Sequence, residues 1–567
     1  MDNLSVYEQK PWLKAYLPQM KADVDVQDIS VCQAFDEATT KWKDRTALVF
    51  YGNKISFGDL RDKVDRLANA LRDMGVRKGD VVAMLMLNSP EYVIAFYAVL
   101  KVGAMITPIS PVYVSPEIKY QLEDSKAQTI ICQDILWEGV EKSGIQLKNV
   151  ILCNITQSLP AAARLMGKSI LRGVYQKMSA PPPSITKKEG FYKYEELIKK
   201  YKPEPVNVEV NPREDGVSTP YTGGTTGHPK GVVVTHYNHM AIKAVFSAFF
   251  YFLEDAKEVS VSYMPYYHIG GQGMGVFLPI VRGWTQVILT TPDIDDIIDS
   301  MVNYKATIFY GAPSIFEMLK DHPKTDLVHW KNLKFIQAGA DALHEATAKA
   351  WQERTGSSIC ETFGMTEATG LITLTIPGKS KLNSSGIPVP NTIAAIADPD
   401  KDEFVPMGEL GEVVANGPQI MKEYWNNPQA TRDVKFELNG RTWYRTGDLG
   451  KMDEDGYLFI YDRKRDLIKY KGLRVYARDV EEVLKGHPQI KEVGVVGVPD
   501  KLVGENVKAY IVLEGDARGK LSEAEITAFC QDKLAHYKIP RIIEFVGEVP
   551  KTDVGKVSRR ELREMED

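Results

Sequence analysis

From about residue 45 onward the chain repeats one pattern: a short β-branched run followed by an amphipathic stretch. The runs include Val81–Leu87, Thr129–Cys132, Val150–Cys153, Val259–Tyr263, Val287–Thr290, Ile308–Tyr310 and Phe335–Gln337. Short β-branched apolar runs alternating with amphipathic stretches predict α/β layers. After residue 385 the pattern changes to closely spaced strands broken by Gly, Pro and Asn, which predicts a β-rich subdomain over about 385–462. A dense charge run, Asp462-Arg-Lys-Arg-Asp466, then precedes strands at Gly494–Val498 and Val507–Leu513 and helices at Arg478–Lys485 and Glu523–Leu534. The expected architecture is therefore a large N-terminal α/β domain over residues 1–462 and a small α+β domain over 463–567, with the charge run between them read as a hinge.

Composition narrows the function. A chain of 567 residues has room for three or four folded units at about 150 residues each. Lys plus Arg is 70 against 75 for Asp plus Glu, a net charge of −5, so no bulk electrostatic drive toward nucleic acid or anionic lipid exists. The five cysteines, Cys32, Cys132, Cys153, Cys360 and Cys530, are scattered and form no metal-ligand spacing. The N-terminus has no signal-peptide core, and the longest apolar runs are too short to span a bilayer, so a cytoplasmic, soluble or peripheral protein is expected. One stretch departs from this: a polar, basic insertion over about 155–202, in which Arg164, Lys168 and Arg172 recur every four residues opposite Met166, Ile170, Leu171, Val174 and Met178. Such a helix packs on its own domain or lies on a membrane surface.

The most informative segment is Tyr221-Thr-Gly-Gly-Thr-Thr-Gly-His-Pro-Lys-Gly-Val232, flanked by strand-like residues. Gly223, Gly224 and Gly227 let backbone N–H groups converge on an anion, Thr222, Thr225 and Thr226 add hydroxyl donors, and Lys230 adds charge. The loop is a phosphate cradle, although it is neither a Walker A loop nor a dinucleotide-binding turn.

This string resembles that of the adenylate-forming superfamily, which includes acyl-CoA synthetases, 4-coumarate-CoA ligases, firefly luciferase and peptide-synthetase adenylation domains. Seven further segments support the resemblance in order: Met264-Pro-Tyr-Tyr-His-Ile-Gly-Gly271, Gln337-Ala-Gly-Ala-Asp-Ala-Leu343, Thr362-Phe-Gly-Met-Thr-Glu367, Ser384-Ser-Gly-Ile-Pro388, Tyr444-Arg-Thr-Gly-Asp-Leu449, Asp462 through Gly472, and Pro550-Lys-Thr-Asp-Val-Gly-Lys556. The chemistry it implies is attack of a carboxylate on the α-phosphate of ATP, giving acyl-AMP and pyrophosphate, followed by thiolate attack that releases AMP. Two anions must meet, so catalysis rests on positioning and on cations placed where charge develops.

The resemblance also implies roles. Glu367 matches a Mg²⁺-binding glutamate, with Thr366 and Thr225 near metal and phosphates. Asp448 matches the acceptor of both ribose hydroxyls, joined by Arg463; Gly339, Ala340, Phe363, Gly364 and Met365 match the adenine and nucleotide segments. His268 matches a residue at the floor of the acyl pocket. Lys556 matches the lysine that bridges carboxylate and α-phosphate. Rotation about Arg465 would replace it by the face carrying Lys469 and Gly472 and open a CoA channel near Arg474. The acyl pocket is expected around Tyr267, Gly271, Gly311 and Thr369, where small residues predominate and no Lys or Arg is evident to pair with a second carboxylate. The expected activity is an AMP-forming ligase joining an apolar acid, most like a medium- or long-chain fatty acid, to CoA. CoA ligases for aromatic or alicyclic acids, a stand-alone adenylation enzyme, a luciferase-like oxygenase and an inactive nucleotide or acyl binder are the alternatives. The expected partners are a small carboxylic acid, ATP and CoA, with Mg²⁺ and without nucleic acid; membrane contact through the insertion and a homodimer stay open.

Overall fold

The computed structural model describes residues 5–160, 188–222, 229–339, 343, 345–381, 383–471, 473–515, 521–531, 533–551 and 557–566. They fall into two compact units, Met1–Ala394 with Ala415–Phe436 and Asp455–Tyr457, and Ala395–Val414 with Glu437–Glu454 and Leu458–Asp567.

The first unit carries two nine-stranded sheets. In one, the strands Thr46–Phe50, Thr285–Ile288, Val259–Ser262, Ile308–Gly311, Phe335–Ala338 and Cys360–Phe363 run parallel in that spatial order. Parallel neighbours need crossovers. The helices Ile294–Asn303, Pro313–Asp321 and Glu345–Thr355 supply them, so the loops after Ile308–Gly311, Phe335–Ala338 and Cys360–Phe363 leave the same edge of the sheet. A core of Val261, Phe309, Phe316, Trp330, Ile336 and Trp351, among others, fixes this layer.

The second sheet runs Glu423–Tyr424, Lys230–Thr235, Gly216–Ser218, Met105–Ile109, Val81–Leu85, Thr129–Gln133, Asn149–Cys153, Phe191–Lys193, with Tyr221–Thr222 paired to Lys230–Thr235. Its central strands are buried at every residue, as expected of parallel strands covered on both faces. The helix Pro90–Lys101 begins at a Ser89 cap whose side chain accepts from the Tyr92 amide, with Pro90 at its first position. It is apolar almost all round, and every residue in it is buried. Of the basic insertion, Phe191–Lys193 adds an edge strand to this sheet and Tyr194–Lys200 a short helix; the amphipathic stretch from Arg164 to Met178 lies outside the described residues. No helix among the described residues is long and apolar enough to cross a membrane.

The second unit is built mainly on two five-stranded sheets. One orders Ile393–Ala397, Gly411–Asn416, Arg441–Met452 and Lys435–Leu438, with Leu458–Arg463 antiparallel to Arg441–Met452. The other orders Leu473–Tyr476, Leu467–Tyr470, Gly504–Leu513 and Ile490–Asp500, with Ile542–Phe545 parallel to Gly504–Leu513. The helix Ala477–Lys485 packs Val480 and Leu484 into the apolar core of the latter.

Candidate active site

In the first unit the parallel register brings three predicted segments together. Gly311 lies opposite Ala338, and Ala338 opposite Glu361, so the chain leaves the three strands at one level. The Gly339 amide donates to the Gly311 carbonyl at 3.1 Å, and a Cβ on Gly339 would stand 2.9 Å from the Thr362 methyl. Ligands of open α/β sheets sit at such carboxyl ends. Phe363 follows, half-buried, in the strand that delivers Gly364, Met365 and Thr366 to the turn Thr366–Ala368. Gly364 cannot be larger: a Cβ there would meet the Gly370 carbonyl oxygen at 2.2 Å.

Beyond that turn the backbone is strained. Thr369 has φ 49° and Gly370 φ 86°. A β-branched residue in the left-handed region is costly by about 1–3 kcal/mol and persists only where neighbours hold it. Here the Thr369 hydroxyl donates to the Gln419 carbonyl at 2.7 Å, and the Gly370 amide to the Met365 carbonyl at 2.9 Å. The reversal pairs Phe363 with Thr373 and fixes Glu367 between them in sequence.

The segment from Gln419 to Trp425 grips that turn from the other side. The Met421 amide donates to the Glu367 carbonyl at 2.7 Å, Gln419 Nε2 donates to the Leu371 carbonyl at 3.0 Å, and Tyr424 Oη donates to Glu367 Oε1 at 2.8 Å. The same segment pairs Val232 with Tyr424 and Val233 with Glu423, and the Trp425 amide donates to the Gly231 carbonyl. One strap therefore ties the strand carrying Lys230 to the turn carrying Glu367. Neither the strap nor Tyr424 is evident from sequence, because a Tyr-Trp pair ahead of Asn-Asn-Pro has the appearance of an ordinary apolar anchor before a turn.

Glu367 is buried, and among the described residues it has no ion-pair partner. A buried carboxylate held by neutral donors is an apt seat for a cation. No group of three or more His, Cys, Asp or Glu side chains that could hold a metal occurs among the described residues. Mg²⁺ does not require one, since it takes one or two carboxylates plus phosphate oxygens.

His268 caps the helical stretch that starts at Ile269, its ring 4.4 Å from that of Tyr267, both half-buried. The stretch continues as a π-helix, Gln272–Phe277. The glycines of this stretch, together with Gly311 of the expected acyl pocket, divide into two kinds. A Cβ on Gly271 would strike the Pro265 carbonyl oxygen at 2.0 Å, on Gly275 the Tyr266 ring at 2.3 Å, and on Gly311 the Tyr263 hydroxyl at 2.2 Å. These positions are filled by the protein itself. Gly270 and Gly273, three residues apart on one face, have nothing within 4 Å of an added Cβ.

In the second unit Asp448 and Arg463 lie opposite each other across the ladder. Arg463 Nε is 2.9 Å from Asp448 Oδ1 and Nη1 is 3.1 Å from Oδ2, a two-pronged pair with the carboxylate buried and the guanidinium half-exposed. The charge run expected to carry the hinge is matched by residues outside it: Lys464 pairs with Glu412 at 3.0 Å, and Asp462 and Asp466 with Arg559. Arg465 falls in the turn Lys464–Asp466. Lys469 is exposed, pairs with Arg474 across the ladder, and its amide donates to Glu505 Oε2 at 2.7 Å. Thr222 and Lys230 pair at the two ends of the loop predicted to cradle phosphate. The loop residues Gly223, Gly224, Thr225, Thr226 and Gly227, together with Ala340, Gly472 and Lys556, lie outside the described residues.

Residues 35–425 match the AMP-binding enzyme family and residues 479–556 the AMP-binding enzyme C-terminal domain. Over 562 residues the chain is 34% identical to a long-chain-fatty-acid–CoA ligase of Bacillus subtilis, covering 98% of both chains. Among solved structures, ATP-bound MatB from Rhodopseudomonas palustris superposes with a TM-score of 0.78 at 25% identity, over 95% of this chain and 99% of that one. The Mycobacterium tuberculosis fatty acyl CoA synthetase gives 0.71 at 26% identity, over 95% and 99%. With a match running from residue 35 to 425, and relatives aligned over nearly the whole length, the chain belongs to the AMP-binding enzyme family.

Proposed function

We propose that this chain is an AMP-forming acid–thiol ligase that joins a medium- or long-chain fatty acid to CoA. The observation that carries the reading is similarity to long-chain-fatty-acid–CoA ligases over 98% of this chain and 98% of each of those relatives. In the first step the acid's carboxylate oxygen bonds to the α-phosphorus of ATP while the bond to the bridging oxygen breaks and pyrophosphate leaves. In the second, a CoA thiolate attacks the acyl carbon and AMP leaves.

The residues divide this work. Lys230, at the end of the phosphate loop, offers its ammonium to phosphate oxygens. Asp448 accepts from the ribose hydroxyls, with its acceptor oxygens oriented by Arg463. Phe363 offers a face to adenine beside Gly339 and Ala340. Glu367 would hold Mg²⁺, which when bound neutralises charge on the triphosphate oxygens. Lys556 supplies the charge that brings the carboxylate to the α-phosphate, and Lys469, Gly472 and Arg474 belong to the face used for CoA, exchanged by rotation about Arg465. His268 and Tyr267 border the reacting carboxylate. The alkyl chain runs along the face opened by Gly270 and Gly273. Membrane contact, for a substrate that partitions into lipid, falls to the basic insertion over 155–202.

Pyrophosphate release is the test, measured with ATP and a series of straight-chain acids, with CoA present and absent. The expected result is release with acids of medium and long chain and acyl-CoA formed only when CoA is added. Turnover confined to aromatic acids, or acyl-AMP that never reaches CoA, overturns the reading.

A further inference from the structure

Tyr424 touches both charged groups that the first unit contributes around the nucleotide. Its hydroxyl donates to Glu367 Oε1 at 2.8 Å, and the Lys230 ammonium stands 5.2 Å from the centre of its ring. Glu367 and Lys230 are opposite charges on adjoining segments, yet among the described residues neither has an ion-pair partner. A direct Lys–Glu pair would satisfy both and remove both from the reaction. An aromatic ring with a hydroxyl at its rim prevents this: the ring face takes the cation and the hydroxyl takes the anion, so each is oriented by a neutral partner. Tyr424 can do so because its own backbone is fixed. It is 6% exposed, paired with Val232 in the Lys230 strand, and its amide donates to Thr431 Oγ1 at 2.9 Å.

We propose that Tyr424 is a positioning residue that keeps Glu367 and Lys230 apart and aimed, the carboxylate for a divalent cation and the ammonium for phosphate. The inference rests on the ligase reading, but half of it is readable without turnover. Tyr424→Phe removes the hydroxyl and keeps the ring. Tyr424→Leu removes both. Calorimetric titration with ATP in EDTA reads the Lys230 arm alone, and Mg²⁺ titration of pyrophosphate release reads the Glu367 arm.

For Tyr424→Phe the expected results are an unchanged ATP affinity in EDTA and about a tenfold rise in the Mg²⁺ concentration for half-maximal release, the scale of one hydrogen bond to a charged acceptor. For Tyr424→Leu the ATP affinity in EDTA should fall as well, several-fold, since the ring is gone. A Mg²⁺ requirement unmoved in Tyr424→Phe, or equal losses of ATP affinity in both variants, overturns the proposal. A wild-type protein silent with every acid would instead defeat the ligase reading, and the EDTA titrations would still decide whether Tyr424 seats Lys230. Should Tyr424→Leu not fold, Tyr424→Phe at an unchanged melting temperature carries both measurements.

Discussion

Each unit gathers three carboxylates close together, all buried in the second unit and, in the first, buried at Glu91 and Asp134 and half-buried at Glu195, and the two clusters are compensated in opposite ways. In the second unit Asp462, Asp466 and Glu481 surround the Arg559 guanidinium at 2.6, 3.3 and 2.8 Å, with Arg563 adding 2.6 Å to Asp466. Backbone amides complete the set, Arg478 to Asp462 and Val495 to Glu481. In the first unit Glu91, Asp134 and Glu195 are held by neutral groups alone: the Ser158 hydroxyl on Glu91, the Asn154 side-chain amide on Asp134 at 2.8 Å, the Asn154 backbone amide on Glu195 at 3.3 Å. Burial pushes the Glu91 carboxyl up to about 7 and Asp134 up to about 6, only partly offset by those hydrogen bonds. With no cation built in beside them, Glu91 and Asp134 thus keep their protons toward the neutral range. Glu367, buried in the turn Thr366–Ala368 and held by the Tyr424 hydroxyl, likewise has no ion-pair partner among the described residues.

The largest effect should come from opening the compensated cluster. Arg559→Met keeps the apolar stem and leaves three buried carboxylates facing one another, so it should cost about 3–5 kcal/mol of stability, read from urea unfolding at pH 7. A loss below 1 kcal/mol would mean the network is solvated and the contrast between the clusters is false.

Next is the pH dependence of the uncompensated cluster. Glu91 ionises near 4.5 when unfolded and at about 7 when folded, so its contribution is complete below pH 4.5 and is lost as pH rises through 7. That loss is on the order of 3 kcal/mol. Glu91→Gln, which stays neutral, should flatten the decline in urea midpoint between pH 5 and pH 8. An equally steep decline in the variant would assign the dependence to other groups.

Glu367→Gln separates the poised carboxylate from both clusters. Adenylation should fall about a hundredfold, the usual scale for one charged group that acts on developing charge, while the melting temperature stays level because the amide keeps the side chain's size and its oxygen can still accept from the Tyr424 hydroxyl. A melting temperature several degrees lower would make Glu367 a structural anion like those around Arg559.

Much of this arrangement was legible in the sequence. The β-branched runs mark nearly every central strand because parallel strands covered on both faces must be apolar throughout, as at Val81–Leu85. The motif strings locate Glu367, Asp448 and Arg463, and the fold sets the last two as a facing pair. What the sequence does not disclose are contacts between distant segments with no local signature. Arg559 belongs to a tail that reads as solvated charge, Lys556-Val-Ser-Arg-Arg560, yet its side chain is 15% exposed because its partners are 78 to 97 residues away. Tyr424 is 57 residues from Glu367, and Thr369, expected from its small size as an acyl-pocket residue, carries nothing in sequence that announces its positive φ.

The glycines carry the same contrast, between a position already filled and one left open, down to the smallest effect. Small side chains after His268 point in sequence to a roomy acyl pocket, but size alone does not distinguish a glycine that makes space from one that neighbours require. At Gly271 an added Cβ would lie 2.0 Å from a backbone oxygen, so Gly271→Leu must displace the chain itself. That variant should lose activity with every acid alike and melt at lower temperature. At Gly273 nothing stands within 4 Å and the backbone is helical, so Gly273→Leu can be built without strain and projects its methyls into open space. If that space takes the alkyl chain, each methylene excluded forfeits about 0.8 kcal/mol of burial, and kcat/KM should shift toward shorter acids by about fourfold per carbon. Measured across straight-chain acids, a slope with chain length in Gly273→Leu and a uniform drop in Gly271→Leu would place the acyl chain along the Gly270–Gly273 face, whereas a uniform drop in both, or a slope in Gly271→Leu alone, would remove it from there.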